Sequence, residues 1–375
     1  MEKIKKIHFD CRFFKGSQPC IYHKSNKNKC INCDKFTPVK ERILIIKLDS
    51  IGDVLRTTCI LPGLKDKYPH AHISWLTRKI SLPLLIDNPY IDSLLCIEDL
   101  ALANLLVEKF DIVINPSNDK TSCLLSAVTC ARNKYGFILD KNSRIIPLNK
   151  MAEYYLMMAV DDDLKKKNDK TYQEIIYEMS GLKFKGQKPV IKLNDSDLKF
   201  AEDFFKKNKI TQGFVFGLNT GAGKMWDKKK WSVESTIKLS YLLRDNFDSN
   251  IILFGGPDEI DRNKLIMSQA NNYLVDAGCD RSLGQFAALI NKIDLLITAD
   301  TLALHIACAL GKKIICLFGP TSSSEIDLYN KGIKLYAPEL DCLCCYKKSC
   351  SLIPDCMDLI SSEDVIVAVK KLIDS

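Results

Sequence analysis

One strand-to-helix junction constrains this chain more than any other feature. Residues 42–53 read Arg-Ile-Leu-Ile-Ile-Lys-Leu-Asp-Ser-Ile-Gly-Asp, an apolar run that breaks at a polar turn. Gly52-Asp53 then opens an amphipathic stretch, Val54-Leu55-Arg56-Thr57-Thr58. A short apolar run of this kind reads as a buried strand. It delivers the Asp53 carboxylate to the tip of a helix, at the sheet edge where open α/β proteins place their ligands. The design recurs downstream in Asp294-Leu-Leu-Ile-Thr-Ala-Asp300-Thr301-Leu-Ala-Leu-His305, followed by the stretch Lys312–Phe318 and Gly319-Pro320-Thr321. At 375 residues the chain is too long for one ordinary core. The two units therefore predict an α/β protein with two facing Rossmann-like domains, parallel sheets, and chemistry in the cleft between them.

Hydrophobic periodicity divides the chain further. Strands are expected at 42–48, 71–76, 93–97 and 111–115, with helices at 53–67, 99–109 and 119–131. Residues 150–180 read as helical, and 183–192, with Gly186 and Pro189, as a linker. A helix over 195–208 leads into the second set, with strands at 213–218, 250–254, 293–298 and 312–318 and helices at 231–245, 257–270, 283–291 and 301–310. Ser361 is placed to cap a last helix over 362–373. The expected units are a cysteine-rich arm (1–40), a first Rossmann-like domain (41–190), a second (191–340), and a cysteine cluster with a terminal helix (341–375).

Composition narrows the setting. Apolar residues make up 46% and charged residues 27%, ordinary for a globular protein. Nothing approaches the roughly 18–20 continuous apolar residues that cross a bilayer, and the basic start lacks the apolar stretch of a signal peptide. The expected location is the cytoplasm or the cytoplasmic face of its membrane. The net charge of +8 fits a solvated surface, a basic cleft for a diphosphate, or a face toward an anionic membrane.

Several side chains stand where chemistry is done. Asp53 can serve as a base that takes a proton from an attacking hydroxyl, and the helix dipole keeps it ionised; alternatively it caps its helix. Lys229, in the run Lys228-Lys229-Lys230-Trp231, can neutralise a leaving diphosphate, or can be a solvated lysine. Asn219-Thr220-Gly221-Ala222-Gly223 follows a strand and admits close backbone approach of a ligand. Asp300, Thr301 and His305 sit at a helix start whose free N–H groups suit phosphate, although a lone histidine on an apolar helix is commonly a core residue. Glu259, in Gly255-Gly256-Pro257-Asp258-Glu259, can carry a carboxylate to a nucleoside or belong to a plain turn. Arg56 and Arg78, in the first domain, suit an anionic acceptor.

Sixteen cysteines argue against a disulfide framework in a protein of this size and expected location, and toward thiols or metal. Cys59, Cys96, Cys123, Cys130, Cys279, Cys308 and Cys316 lie singly in apolar patterns and read as buried small hydrophobes. Cys342, Cys345, Cys350 and Cys356 form one close set, with Cys344 extra; Cys11, Cys20, Cys30 and Cys33 form another, closing in a Cys-x2-Cys pair. Each quartet can hold structural zinc, iron or an iron–sulfur cluster, or remain free thiols; spacing does not decide among these.

Taken together, residues 43–58, Lys229-Lys230-Trp231, residues 300–311 and residues 317–321 resemble glycosyltransferase family 9, the ADP-heptose:lipopolysaccharide heptosyltransferases and their relatives. The likeness runs over about 42–365. It implies a GT-B fold and metal-independent, inverting transfer from a nucleotide-diphosphate sugar to a glycan, lipid-linked or protein acceptor. Asp53 matches the family's general base and Lys229 its phosphate-binding lysine. Asp300, Thr301 and His305 match donor-binding positions, and Asn219, Thr220 and Glu259 lie in donor-site segments. The C-terminal cysteines look like a pattern found in many relatives and are similar to the iron-binding segment of autotransporter heptosyltransferases; the N-terminal arm looks like an extension carried by a subset. Two departures bear on the donor: Leu302 stands where the family usually has glycine, and Cys59 where proline is common. The rival reading is a non-catalytic protein whose metal-bound ends dock a partner or nucleic acid, with Arg12-Phe13-Phe14-Lys15 as contact; the family resemblance carries no expectation of nucleic acid. A Rossmann dehydrogenase is disfavoured, because the first strand leads into Ser-Ile-Gly-Asp and not a Gly-x-Gly-x-x-Gly turn.

Overall fold

The computed structural model describes residues 7–99, 101–223, 227–270 and 273–374. Within them the strands form two six-stranded sheets. The first holds β1 (Arg42–Ile46), β2 (His72–Thr77), β3 (Ser93–Cys96), β4 (Phe110–Asn115), β5 (Ala131–Leu139) and β6 (Ile145–Pro147), in the order β3-β2-β1-β4-β5-β6. Only β5 and β6 pair antiparallel. The second holds β7 (Phe214–Asn219), β8 (Ser249–Phe254), β9 (Leu274–Asp276), β10 (Leu295–Ala299), β11 (Lys313–Leu317) and β12 (Gly332–Leu335), all parallel, in the order β12-β11-β10-β7-β8-β9. Renumbered within each half, both sheets wind in the same order, so each has a switch point: β1/β4 in the first and β7/β10 in the second. Crevices that accept ligands open at such points.

The central strands are apolar because helices cover both faces of a parallel sheet. Ile43, Leu44, Ile45 and Ile46 of β1 are fully buried and feed two separate clusters on opposite faces. The expected helix over 53–67 is two helices, Ile51–Thr57 and Ile60–Lys67. Pro62 explains the break: it has no N–H for the carbonyl of Thr58, so it is tolerated only in the first turn of a new helix. Strands β5, β6, β9 and β12 were not expected. β6 and β9 are three residues long, while β5 and β12 are largely half-exposed and mix charged with apolar side chains, so they carry no buried-strand pattern. Residues 183–192, the expected linker, are without helix or strand. Ser361 caps the final helix, Ser362–Ile373, which packs its Val365, Val369 and Leu372 into the core of the second sheet.

The two halves share a core. Leu55 and Leu84 of the first half are buried in one cluster with Ala287, Ala288 and Leu304 of the second. Each leucine so buried contributes about 1.5–3 kcal/mol. Burial disagrees with the sequence reading at two single cysteines: Cys130 is exposed and Cys279 half-buried beside Asn263. Among the described residues no helix is long and apolar enough to cross a membrane.

Gly136 interrupts β5 with φ +88°, and a Cβ there would lie 1.9 Å from the carbonyl oxygen of Asn115. Gly136→Ala is expected to destabilise the protein by about 2–4 kcal/mol through backbone strain and overpacking. An unchanged urea midpoint in that variant would contradict this account of the β4–β5 junction.

Candidate active site

The turn after β1 and the turn after β10 carry the candidate groups, and the fold brings them face to face. Ser50 caps the helix Ile51–Thr57: its Oγ accepts from the Asp53 amide and donates to Asp53 Oδ2 at 2.7 Å. Asp53 Oδ1 holds Arg56 at 2.7 Å, and the Arg56 guanidinium lies 3.5 Å from the ring centroid of Tyr172. The Tyr172 hydroxyl in turn stands 2.7 Å from Thr57 Oγ1. Ser50, and not Asp53, is therefore the cap; the Asp53 side chain stays 30% exposed, and each carboxylate oxygen keeps a spare lone pair. Burial alone would raise its pKa. Arg56, buried Lys47 and the Ser50 hydroxyl outweigh that and hold the carboxyl well below the usual range.

Lys47, Asp49 and Ser117 fill the first switch point. Lys47 pairs with Asp49 at 2.9 Å and donates to Ser117 at 3.2 Å, while the Ser117 hydroxyl closes on Asp49. Neither Lys47 nor Tyr172 was singled out from sequence. Lys47-x-Asp49 lay inside the recognised motif and was legible there; Tyr172 had no local signal, because Arg56 and Thr57, which it meets in the site, are more than a hundred residues away.

At the second switch point Asn219 bridges the crevice, donating from Nδ2 to Thr298 Oγ1 at 3.0 Å and Thr301 Oγ1 at 3.2 Å. Lys229 reaches Asp300 Oδ2 at 2.8 Å and its carbonyl oxygen at 3.1 Å. His305 Nε2 lies 4.0 Å from Asp300 Oδ1. The helix Leu302–Leu310 begins at Thr301 without a side-chain cap, so its first N–H groups are available to an anion. Glu259 is buried: one oxygen accepts from the Gly256 amide at 3.0 Å and the other lies 3.4 Å from Lys230. Thr220 turns its hydroxyl inward to Asn263, leaving only its backbone toward the crevice. A cavity of about 20 Å³, lined by Asn219, Thr220, Gly221, Lys229 and Lys230, marks the spot.

The walls touch at Gly52, where an added Cβ would sit 3.0 Å from the His305 ring. Asp53, His305, Asp300 and Lys229 therefore share one electrostatic neighbourhood. Burial, helped by the charges of Arg56 and Lys229, pushes His305 down to about 4 against the pull of Asp300 and Asp53, so the ring is neutral at pH 7. Arg56 faces the base and Tyr172, while Arg78 is exposed and donates to the Leu48 carbonyl at 2.8 Å, on the same edge of the first sheet.

The C-terminal cysteine segment supports this site. Lys228 pairs with Asp355 at 2.9 Å and the Trp231 indole donates to the Ile360 carbonyl at 2.9 Å, which fixes both flanks of Lys229. Burial, then Asp355 and the thiols of Cys345, Cys350 and Cys342, push Cys356 up to about 11. Among the described residues no three His, Cys, Asp or Glu side chains stand together closely enough to hold a metal ion, in the set of Cys342, Cys345, Cys350 and Cys356 or in that of Cys11, Cys20, Cys30 and Cys33. The C-terminal thiols are distributed over turns that pack on the second domain; one of them, Cys356, lies against Gly319.

Two sheets of one winding, facing across a shared crevice, make the GT-B glycosyltransferase architecture. Residues 100–354 match the sequence profile described as glycosyltransferase family 9 (heptosyltransferase), more than half of the chain, and the protein belongs to that family. It is 22% identical over 311 residues to the lipopolysaccharide core heptosyltransferase OpsX of Haemophilus influenzae, covering 79% of this chain and 84% of that one. Among solved structures it is similar to a family 9 glycosyltransferase from Veillonella parvula (TM-score 0.73, 22% identity, 90% and 98% coverage). It is also similar to Escherichia coli heptosyltransferase WaaC with ADP-2-deoxy-2-fluoro heptose (0.57, 18%, 88% and 99%). A third likeness is to the iron-containing dodecameric glycosyltransferase TibC of enterotoxigenic E. coli (0.54, 10%, 89% and 79%).

The lowered pKa of His305 has a consequence for stability. As pH falls from 6.5, the unfolded chain takes up this proton before the folded one does, so stability is lost between about 6.5 and about 4. His305→Asn is expected to flatten that part of a denaturation-midpoint profile relative to the parent. Parallel profiles across the window would show that the ring is not held neutral.

Proposed function

We propose that this protein transfers a heptose-like sugar from a nucleotide-diphosphate donor such as ADP-heptose onto a hydroxyl of a cell-surface glycan, of the lipopolysaccharide-core type, with inversion at the anomeric carbon. The observation that carries this is the meeting of Asp53, from the first domain, with the Lys229–Asp300–His305 set of the second across the Gly52–His305 contact. OpsX is named a lipopolysaccharide core heptosyltransferase and WaaC was solved with an ADP-heptose analogue, which favours the same donor class here.

In this reading the donor lies in the β7/β10 crevice. The open N–H groups after Thr301 and the Lys229 ammonium take the diphosphate, Lys229 sharing or exchanging its bond to Asp300. Asn219, Asp300 and neutral His305 offer hydrogen bonds to phosphate and sugar, and Glu259 supports the nucleoside side. The acceptor enters along the first domain, where Arg78 and the exposed edge of Arg56 meet its anionic groups. Its hydroxyl oxygen attacks the anomeric carbon from the face opposite the diphosphate. The bond to the phosphate oxygen breaks, and the hydroxyl proton passes to Asp53. A carboxylate with a depressed pKa is a weak base, but it suffices here, because a hydroxyl becomes strongly acidic as its oxygen bonds to the electron-poor carbon. The crevice must widen to admit a nucleoside, since the cavity beside Lys229 holds about one water. Sixteen cysteines, none in a disulfide among the described residues, suit a reducing compartment, and we place the reaction in the cytoplasm or at the inner face of its membrane.

Asp53→Ala is expected to lower kcat by about 10²–10⁴-fold with donor affinity nearly unchanged. Lys229→Met is expected to lower kcat/KM by about 10²–10³-fold. Mass spectrometry of reactions with a nucleotide-sugar panel, beside donor titration calorimetry, measures both, and wild-type turnover by the Asp53 variant would remove it from the mechanism. The low Asp53 pKa places the acid limb of kcat/KM below the ordinary 3.8. Since Arg56 depresses it, Arg56→Met is expected to move that limb upward; an unmoved limb would mean that Asp53 is not the titrating base.

A further inference from the structure

The first segment of the chain has an arrangement that its own packing does not explain. Residues 7–42 include no buried residue, and neither the helix Ile21–Asn26 nor the turn Cys30–Asn32 contributes to a core. The segment is nevertheless folded back on itself. Cys11 bridges Pro38, the Val39 amide donates to the Asp10 carbonyl at 2.8 Å, and Asn28 donates to Asp34 at 2.6 Å. At its centre lies a cavity of about 270 Å³ whose walls include all four of Cys11, Cys20, Cys30 and Cys33. A fold this small without a core needs a staple: a disulfide, a metal or a comparable cross-link.

We propose that this cavity is the seat of a 4Fe–4S cluster ligated by Cys11, Cys20, Cys30 and Cys33. A zinc ion is the poorer fit. Thiolates about 2.3 Å from one tetrahedral ion stand about 3.8 Å apart, whereas here the four cysteines line the walls of a cavity of about 270 Å³. A cubane takes one thiolate at each of four separate irons, so it spreads its ligands around a volume. Phe13, Phe14, Tyr22 and Phe36 line the same cavity and supply the apolar shell that shields such clusters. Lys15, also in its walls, offsets part of the net charge of −2 that a 4Fe–4S core in its 2+ state carries with four thiolates. On ligation each thiol releases its proton to solvent and forms one iron–sulfur bond; iron and inorganic sulfide arrive as a preassembled cluster.

The position argues for a structural role. The arm enters β1 at its N-terminal end and is pinned by Arg12 to Asp92 at 2.6 Å, just before β3, whereas Asp53 follows the C-terminal end of β1. The cluster stands on the edge of the first sheet away from the crevice, so it holds the arm and takes no part in sugar transfer.

Full-length protein purified without oxygen tests this. The expected composition is about four irons and four acid-labile sulfides per chain, with a broad visible absorption that dithionite bleaches. In Cys30→Ser/Cys33→Ser the sulfide is expected to disappear, and in Cys350→Ser to remain. About one zinc per chain, a full complement of titratable arm thiols without sulfide, or loss of sulfide in the Cys350 variant alone would each overturn the assignment. The parent protein's composition decides the matter even if the arm variants fold poorly.

Discussion

The tip of the helix after β1 rests on the helix after β10, and the site depends on that contact. Gly52 lies so close to the His305 ring that a Cβ would press on it, and Leu55 is buried one turn later in the core of the other half. This fixes the separation of two walls that belong to different sheets. It also places a half-buried arginine, two carboxylates, a lysine and a histidine in one region of low polarity, where each bears on the protonation of the others. Asp53 and Asp300 are kept ionised by the cations beside them, and burial, helped by Arg56 and Lys229, keeps His305 neutral. Removing one member leaves a buried charge without its counterpart, and it is this coupling that makes the cluster one unit.

The repeated strand-to-helix junction was legible because it follows from local chemistry. Buried parallel strands must be apolar, and their ends must carry the polar groups that ligands meet. Two Rossmann-like halves, Asp53, Asp300 and the Ser361 cap could therefore be read from the chain. Strands β5, β6, β9 and β12 could not, being short or half-exposed at or near the sheet edges. The break at Pro62 was a local signal passed over. Arg56 was assigned to the acceptor on charge alone; its pairing with Asp53, three residues earlier on the same helix, was a local signal, whereas its stacking on Tyr172 is a tertiary fact. Thr220 was similarly hidden, since nothing in Asn219-Thr220-Gly221 tells which side chain faces the crevice and which turns to Asn263.

The cysteines show the same limit from another direction. Spacing gathered them into two quartets but did not distinguish packing from ligation. In the C-terminal quartet the fold gives the segment a mechanical role, bracing Lys229 through Lys228–Asp355 and Trp231–Ile360. The N-terminal quartet surrounds a cavity in a segment with no core, and there packing alone does not account for the fold. Both segments lie outside the paired sheets, and each steadies one half of the molecule by a different route.

The account stands or falls on whether the two walls act on one donor. The most direct measurement is a crystal structure of the protein with ADP-2-deoxy-2-fluoro heptose. The diphosphate should contact Lys229 and the backbone after Thr301, with the anomeric carbon turned toward the Asp53 carboxylate. A nucleotide bound outside the β7/β10 crevice, or an anomeric carbon pointing away from Asp53, would contradict it.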